Sequence, residues 1–483
     1  MPFVSISARA TLALSLSAAL LSAQGVNCRL LGRADKYPGA NSPTNNYAGI
    51  WGMVVNGREI AVVPARTGTV FYDCTNPGTP AELGVIPGPG SGSQPYFWRE
   101  AQSRGNYAYI SSEHGALQVI DMSGVAPVLA GTFGGSAHTV SIDLANSRLW
   151  ANGGSSPGGG CNIYNLAANA VNPPLVGSYS ASYVHDCLPV GGFTYLAQIF
   201  NGNVRILNTS SFPTLATLST TTTPGAFTHN AWVNDDATLM VTADENRGGC
   251  LTIYDITLKT LPVQLATWCS PSGATVHNVF IEGKVAQFSS YSGGFYAVDL
   301  SEPATPRLIC SYDTSPQTNN DYHGCWGCYP FQPSGVVYLT DMQTGFWIVE
   351  PTCGVPHQYG NGTAGTGGRT PKVDYGGGYA QVARTTFKLD CTDMLPNAPL
   401  ALFVGSAAAT TPVFGISLNV DLNQPYVQVV AGANAQGRAT VNIPIPALAN
   451  LAGGTIYAQA VTADVAGPQG LAASRGFRVT ICP

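Results

Sequence analysis

Charged residues are scarce in this chain. Lysine and arginine together number 21 and aspartate and glutamate 26, so only 10% of the 483 residues are charged and the net charge is −5. A nucleic-acid-binding surface needs a basic footprint, and this balance argues against nucleic acid as a partner. After residue 23 the sequence also lacks an apolar run long enough to span a bilayer, so we expect no transmembrane segment.

Glycine and proline, by contrast, are plentiful. The chain has 56 glycines and 34 prolines, and 45% of its residues are hydrophobic. This composition suits many short strands that are joined by turns around a large core. We therefore predict an all-β fold.

The first 23 residues have the pattern of a secretory signal peptide. They carry one positive charge at Arg9, an apolar run over residues 12–21 and a small-residue ending at Ser22 and Ala23. We predict cleavage after Ala23 and a mature protein that is secreted or held at the cell surface, and we expect a monomer.

Twelve cysteines in an exported chain indicate disulfides before metal ligands. The positions of the predicted strands favour a Cys250–Cys269 bridge and a Cys391–Cys482 bridge. The Cys325-x-x-Cys328 motif lacks the thioredoxin-like context of a redox dithiol.

Four histidines recur at nearly equal spacing. His138, His185, His229 and His277 are separated by 47, 44 and 48 residues, a period typical of a four-stranded propeller blade. A segment that closes the third strand of each repeat occurs seven times. Its last residues are Asp73, Asp121, Asn165, Asn208, Asp255, Asp299 and Glu350. The repeats predict a seven-bladed β-propeller over residues 24–353.

Turn glycines extend the histidine position to the other repeats. Counted six residues back from turn glycines, the position falls on Trp51, Arg99, His185 and His277. Around the whole ring it reads Trp51, Arg99, His138, His185, His229, His277 and, with a longer turn after it, Trp326. The first strand of a blade lines the central channel, so we expect these side chains at one channel mouth. The ends of the second strands should bring further polar side chains to that face, namely Glu113, Gln198, Asp244, Glu245 and Asp341.

The N-terminal segment is predicted to close the ring. Residues 29–32 resemble the fourth strands of other repeats, and the seventh repeat ends after its third strand at Glu350. An N-terminal strand that completes the last blade would remove an open sheet edge. We further predict a Cys28–Cys353 disulfide at this seam.

The composition of the sequence changes after residue 353. Residues 354–380 are rich in glycine and are predicted to be a linker. Residues 381–483 hold several strand-like runs, which predict a small C-terminal β domain resembling a β-sandwich.

Residues 28–353 resemble the LVIVD-repeat propellers of the choice-of-anchor B family. The segments that carry the resemblance follow one another in order and stand at residues 51–52, 138–143, 183–186, 224–232, 276–278 and 326–331. This resemblance implies a fold and a location at the cell surface, and it implies no reaction. Residues after 353 resemble a module appended to exported bacterial proteins, which implies sorting or surface attachment.

The polar arc admits three interpretations. Several imidazoles with nearby oxygens can bind one divalent transition metal, with His138, His185, His229 and His277 as ligands. Alternatively, His185 and His229 act as acid and base while Arg99 neutralises an anionic group. The histidines can also be structural, since a channel mouth is wet and polar residues there bond the neighbouring blade.

Three functions follow from these interpretations. The first is an exported, surface-associated binding module for an envelope component or a polysaccharide. The second is a metal-dependent lyase or hydrolase that acts on an acidic polysaccharide. The third, a copper-dependent oxidoreductase, is disfavoured because the sequence shows no partner domain and no second metal motif.

Overall fold

The computed structural model describes residues 25–37, 45–89, 98–316 and 321–483. The predicted signal peptide, residues 1–23, lies outside this described part. The described residues form strands and a few short 3-10 segments, as expected of an all-β chain. Among them, no helix is long and apolar enough to cross a membrane.

Seven antiparallel sheets, which we number in chain order, follow one another along residues 25–351. Sheets 1 to 3 consist of Trp51–Val55, Arg58–Ala65, Gly68–Asp73 and Ala81–Pro87; Ala101–Arg104, Tyr107–Ile110, Leu117–Asp121 and Val128–Phe133; and Thr139–Asp143, Arg148–Asn152, Cys161–Asn165 and Leu175–Tyr179. Sheets 4 and 5 consist of Asp186–Val190, Phe193–Gln198, Asn203–Asn208 and Ala216–Thr222; and Thr228–Val233, Leu239–Asp244, Leu251–Asp255 and Val263–Trp268. Sheet 6 has Val279–Glu282, Val285–Ser290, Gly294–Asp299 and Arg307–Tyr312, with Gly25–Val26 at its edge, and sheet 7 has Cys325–Tyr329, Val337–Asp341, Gly345–Pro351 and Cys28–Ala34.

The repeat is visible in the turns and in the strand registers. Glycines with positive φ stand in the turn between the first and second strands, among them Gly57, Gly191 and Gly283. A residue with a side chain is strained in that conformation, which explains the glycine at these turns, whereas sheets 3 and 5 have Ser147 and Ala237 at positive φ there. The pairing of the third strand with the fourth shifts register once in every one of the seven sheets, as at a β-bulge.

Neighbouring sheets pack face to face through apolar cores. Phe71 of sheet 1 packs with Ile120 of sheet 2, and corresponding clusters lie between each following pair of sheets. A further core joins sheet 7 to sheet 1, where Tyr338 and Phe346 contact Val63. These are the four-stranded, face-packed sheets expected of propeller blades.

The N-terminal strand forms the fourth strand of sheet 7. Cys28–Ala34 pairs antiparallel with Gly345–Pro351, and its register shifts between Leu30 and Gly32, as the fourth strands do elsewhere. This pairing gives the third strand of sheet 7 a partner on both sides.

The disulfides confirm one predicted bridge and correct two. Cys250 and Cys269 are bonded as predicted. The Cys391–Cys482 and Cys28–Cys353 predictions are wrong, because Cys353 is bonded to Cys482. The amide of Gly354 donates to the Thr480 carbonyl at 2.8 Å, which brings the end of sheet 7 beside the last strand of the chain.

The other two cysteines of those predictions lie elsewhere. Cys391 is buried in the strand Lys388–Thr392, and this strand is hydrogen-bonded to a neighbouring strand on each side. The Cys28 thiol instead lies within hydrogen-bonding reach of the Cys310 thiol in sheet 6.

The C-terminal part contains three further sheets. The largest holds His357–Tyr359, Gly476–Thr480, Thr455–Ala463, Pro399–Gly405, Tyr426–Gly432 and Leu471–Ala473; the second holds Lys372–Gly376, Lys388–Thr392 and Ala439–Asn442; and the third holds Ala408–Val413 and Ile416–Val420. The stretch 354–380, predicted to be a linker, therefore contributes two strands to these sheets. Backbone pairing supplies their hydrogen bonds despite the glycine-rich composition.

The C-terminal sheets share a core with the propeller-like part. Val373 and Leu389 belong to the same apolar cluster as Phe295 of sheet 6 and Val349 of sheet 7. The hydroxyl of Tyr375 donates to Asp299 at 2.8 Å across this contact. The C-terminal part is thus packed against sheets 6 and 7.

Candidate metal centre

The four repeated histidines form a continuous arc at the beginning of the first strands of sheets 3 to 6. We call His138, His185, His229 and His277 the histidine arc. Their successive ring centroids lie 4.2, 4.1 and 4.1 Å apart, and the Trp326 ring continues the series at 4.3 Å from His277. The predicted convergence of the four imidazoles is therefore present.

Backbone hydrogen bonds repeat along the arc and set its spacing. The amides of His138, His185 and His277 donate to carbonyls of the second strand in their own sheets, at Asn152, Ala197 and Ser289. These three histidines are therefore placed by the same local geometry, whereas His229 lies where the pairing of its strand shifts register.

The Nδ1 atoms of two arc histidines bond the backbone of the next sheet. His185 Nδ1 lies 3.1 Å from the His229 carbonyl oxygen, and His277 Nδ1 lies 2.6 Å from the Trp326 carbonyl oxygen. A carbonyl accepts hydrogen bonds only, so each Nδ1 carries the proton and each Nε2 keeps its lone pair. Metal-binding histidines are typically oriented by such a bond.

His138 at the end of the arc is held by a carboxylate. Its Nδ1 lies 2.6 Å from Oε1 of Glu113, and it is the most exposed of the four. Glu113 was predicted to lie on this face, and it contacts the arc here.

Glu245 is the acidic residue nearest to the middle of the arc. Its Oε2 lies 3.7 Å from His229 Nε2, and its Oε1 lies 3.8 Å from His277 Nε2. One ligand atom each from His185, His229 and Glu245 all fall within 4.8 Å of one another. Two imidazoles and a carboxylate are a donor set for a divalent transition metal.

Burial sets the protonation of this group. Burial, reinforced by the neighbouring imidazoles, holds the pKa of His185 and His229 well below the usual value, and burial lowers the pKa of His277 to about 3. Burial raises the pKa of Glu245 to about 7. Neutral imidazoles are the form that binds a metal.

Two ring nitrogens of the arc are buried without a hydrogen-bond partner. These atoms are Nδ1 of His229 and Nε2 of His277. A buried polar atom without a partner costs about 1–3 kcal/mol. A bound cation that accepts a lone pair from an arc nitrogen would remove part of this cost.

Tyr291 supports Glu245 from sheet 6. Its buried hydroxyl donates to Oε1 of Glu245, and its ring lies 5.1 Å from that of His277. Burial and the Glu245 charge raise the pKa of Tyr291 well above its usual value, so its hydroxyl keeps the proton that it donates. The sequence interpretation missed this residue, although it follows the second strand of sheet 6 as Glu245 follows that of sheet 5.

Arg99 does not join the histidines. Its guanidinium donates to Thr69 Oγ1 at 2.9 Å and to Gln118 Oε1 at 3.0 Å, between sheets 1 and 2. Burial lowers its pKa to about 10. The predicted catalytic set of Arg99, His185 and His229 is therefore not assembled at one point.

Three of the predicted supporting residues stabilise loops. Gln198 donates to the Tyr179 hydroxyl at 3.1 Å, Asp244 accepts from the Gly225 amide at 2.9 Å, and Asp341 accepts from the Gln343 amide at 2.9 Å. Of the five supporting residues, only Glu113 and Glu245 have a recorded contact with the arc.

Trp51 is not the first member of the arc. Its ring packs 4.9 Å from Tyr329 and 6.2 Å from Phe280, whereas Ala48 belongs to the apolar cluster of Trp326, the ring that continues the arc. The glycine alignment fails in sheet 1 because the turn glycine is the second residue of its turn, after Val55, and not the first as in sheet 4.

A polar layer lies directly behind the arc. Glu100 accepts from the Trp326 indole at 2.9 Å, and Asp186 accepts from the Asn230 side chain at 2.6 Å. Burial raises the pKa of Glu100 to about 7. The sequence signal for this layer was the polar residue that follows each arc histidine, at Thr139, Asp186, Asn230 and Asn278.

Comparison with known families gives one match. The family model described as LVIVD repeat matches residues 102–133 and 275–314. No curated protein matches the chain. The first matched segment coincides with sheet 2, and the second coincides with sheet 6 and the residues that lead into it, including His277. The chain therefore carries LVIVD repeats of the kind found in β-propellers.

Proposed function

We propose that this protein is an exported, surface-associated β-propeller that binds one divalent transition metal in its histidine arc and acts as a binding module. Seven face-packed sheets, with a core between sheet 7 and sheet 1, support a closed ring of seven blades. The N-terminal strand closes the last blade. Two disulfides suit an oxidising compartment.

The orientation of the imidazoles carries the metal proposal. His185 and His277 each give Nδ1–H to a carbonyl of the following sheet, which leaves Nε2 as the free donor atom. A purely structural histidine can be satisfied through either nitrogen, and it gains nothing from an unpartnered lone pair beside a carboxylate. His185, His229 and Glu245 are the proposed ligands, with His277 and His138 as neighbours.

Binding is favoured over catalysis on an acidic polysaccharide by the position of Arg99. A lyase or hydrolase acting on such a chain needs a cation beside the substrate carboxylate as negative charge develops. The Arg99 guanidinium is instead bonded between sheets 1 and 2. We therefore keep the metal-dependent lyase or hydrolase as the alternative, with an envelope component or polysaccharide as the bound partner in either case.

The C-terminal part is proposed to hold the propeller at the cell surface. We place its boundary at residue 354, with residues 354–380 belonging to its sheets, and propose that the part before it begins at residue 24. The shared core with sheets 6 and 7 and the Cys353–Cys482 bridge support a fixed connection, in which the propeller is presented in one orientation.

Elemental analysis of protein purified without chelator tests the metal proposal. We expect about one transition-metal ion per chain in the parent protein and its loss in His185→Ala/His229→Ala. His357→Ala is the matched control, because His357 bonds the Pro333 carbonyl outside the arc. A parent protein that binds no added Zn²⁺, Cu²⁺, Ni²⁺ or Mn²⁺ would overturn the proposal. Cleavage of an acidic polysaccharide by the metal-loaded parent, and not by the double variant, would favour the alternative.

A further inference from the structure

A cavity of about 750 Å³ lies between the propeller-like part and the C-terminal sheets. Its walls include the turn that follows the first strand of sheet 5, the turn of sheet 6 at Glu282 and Gly283, and residues of the second C-terminal sheet. The arc histidines stand at the beginning of the same first strands. The cavity therefore lies at the opposite end of these strands from the histidine arc.

The cavity wall carries more acidic than basic side chains. Its acids are Asp235, Asp236, Glu282, Asp374, Asp390 and Asp393, and its bases are Lys284, Lys372, Arg438 and Arg475. This excess of carboxylates favours a positively charged ligand.

Each basic side chain of the wall is already engaged. Lys284 pairs with Asp390 at 2.6 Å, Lys372 with Asp393 at 3.3 Å, and Arg438 with Asp236 at 3.3 Å. Arg475 donates to backbone carbonyls at 2.9 and 3.1 Å. Lys372 also lies 3.8 Å from Asp235. None of these cations has a recorded ion pair with the two remaining acids.

Glu282 and Asp374 are the acids of the wall without an ion pair within 4 Å, although the charges of Arg475 and Lys284 act to lower the pKa of Glu282 and Asp374, respectively. No hydrogen bond or ion pair of the Glu282 carboxyl is found in the described part of the chain, although desolvation of that carboxyl is strong. Asp374 accepts from the Tyr375 amide through Oδ1. Its Oδ2 faces Gly283, where an added Cβ would come within 2.6 Å. Both residues therefore belong to the cavity wall at the turn of sheet 6, and the charge of Asp374 contributes to raising the pKa of Glu282.

We propose that this cavity binds an organic cation, a ligand whose ammonium or guanidinium group lies between Glu282 and Asp374. The volume is in the range of small-molecule sites and far exceeds the space that a dehydrated metal ion needs. Ile281 and Phe331 add apolar and aromatic surface to the wall, which suits the carbon skeleton of such a ligand.

The pKa shifts of the Glu282 and Asp374 carboxyls agree with this geometry. Burial, followed by the charges of Asp235 and Asp374, raises the pKa of Glu282 to about 8, and burial raises that of Asp374 to about 7. A bound cation favours the ionised carboxylates. Binding near neutral pH should therefore release protons.

Isothermal titration calorimetry on the full chain tests the proposal, with argininamide and cadaverine as organic probes and Ca²⁺ as the metal probe. We expect saturable binding of at least one organic cation. Glu282→Gln and Asp374→Asn should each weaken it by about 10-fold or more, since a lost charged hydrogen bond has that effect. Glu302→Gln is the control, because Glu302 pairs with Arg307 in sheet 6 outside the cavity wall.

A second measurement keeps the test decisive if a variant fails to fold. The binding heat of the parent protein, measured near pH 7.5 in two buffers of different ionisation enthalpy, should reveal proton release. Absence of saturable organic-cation binding overturns the proposal, as does binding that is unchanged in folded Glu282→Gln. Binding of Ca²⁺ alone, lost in the two cavity variants, would overturn it in favour of a metal site.

Discussion

Replacement of His185 by alanine should remove the stabilisation that a transition metal gives to this protein. His229 Nε2 and Glu245 Oε2 lie 3.7 Å apart. Two ligands at about 2.0–2.1 Å from a tetrahedral metal lie about 3.3–3.4 Å apart. His229 and Glu245 thus need to approach each other by only a few tenths of an ångström, and His185, whose ligand atom lies within 4.8 Å of theirs, would move towards them to complete the set.

The size of the expected effect follows from binding to the folded state only. With free metal at about 100 times the dissociation constant, the parent protein gains about 2.7 kcal/mol of unfolding free energy. In His185→Ala the metal retains two of three ligands, so the gain should largely vanish. The quantity compared is the metal-induced shift in thermal unfolding, because the alanine leaves a small cavity that lowers the stability of the metal-free variant too.

Matched variants locate the effect. His277→Ala should reduce the shift partially, because His277 Nε2 lies 3.8 Å from Glu245 but is not in the closest group of ligand atoms. His138→Ala should change it little, since no ligand atom of His138 belongs to the group that lies within 4.8 Å of one another. His357→Ala should show the full parental shift. Equal metal-induced shifts in His185→Ala and the parent would refute the ligand assignment.

Three further predictions concern the rest of the molecule. Burial raises the pKa of Glu282 from 4.5 to about 8, so the folded state holds the carboxyl proton more tightly than the unfolded state does. The protonated carboxyl therefore contributes stability that is fully present below pH 4.5 and is lost as the pH rises to 8. In urea unfolding, Glu282→Gln should therefore gain stability relative to the parent by at most about 1.4 kcal/mol per pH unit across that window. A difference in unfolding free energy that does not depend on pH would contradict this. Deletion of residues 25–34 exposes the edge of Gly345–Pro351 and should cause aggregation on size-exclusion chromatography, whereas a monomer of parental stability would count against the role of this strand. The neighbouring Cys28 and Cys310 thiols should form a disulfide by exchange with an oxidised dithiol carrier during export, which peptide mapping without reductant would detect, and free thiols there would disprove it.

The regular repeat was accessible from the sequence because its signals are local. A glycine at positive φ, a polar dipeptide that begins with histidine and an acidic or amide residue at the end of the third strand all depend on a few neighbouring residues. Such signals predicted the four-stranded sheets, the convergence of the histidines and the Cys250–Cys269 bridge, whose cysteines flank adjacent strands of sheet 5.

Contacts between distant segments could not be predicted in this way. The sequence favoured Cys391 as the partner of Cys482, but the hydrogen bond between Gly354 and Thr480 brings Cys353 beside Cys482. Residues 354–380 look like a linker by composition, yet their strands obtain partners from residues 388–392 and 476–478. The direction of Arg99 likewise depends on Thr69 and Gln118 in two different sheets.

The order of the side chains along the arc explains why a metal would bind at sheets 4 and 5. His185 and His277 bond the carbonyl of the following sheet, and the series ends where Trp326 replaces histidine and directs its indole to Glu100. At sheet 1 the corresponding level holds Ala48, which offers no ligand atom. Glu245 lies opposite the middle of the arc and is fixed by Tyr291. The Glu245 carboxylate therefore lies beside the Nε2 atoms of both His229 and His277, which makes this side of the arc the place where a metal would gain a carboxylate ligand.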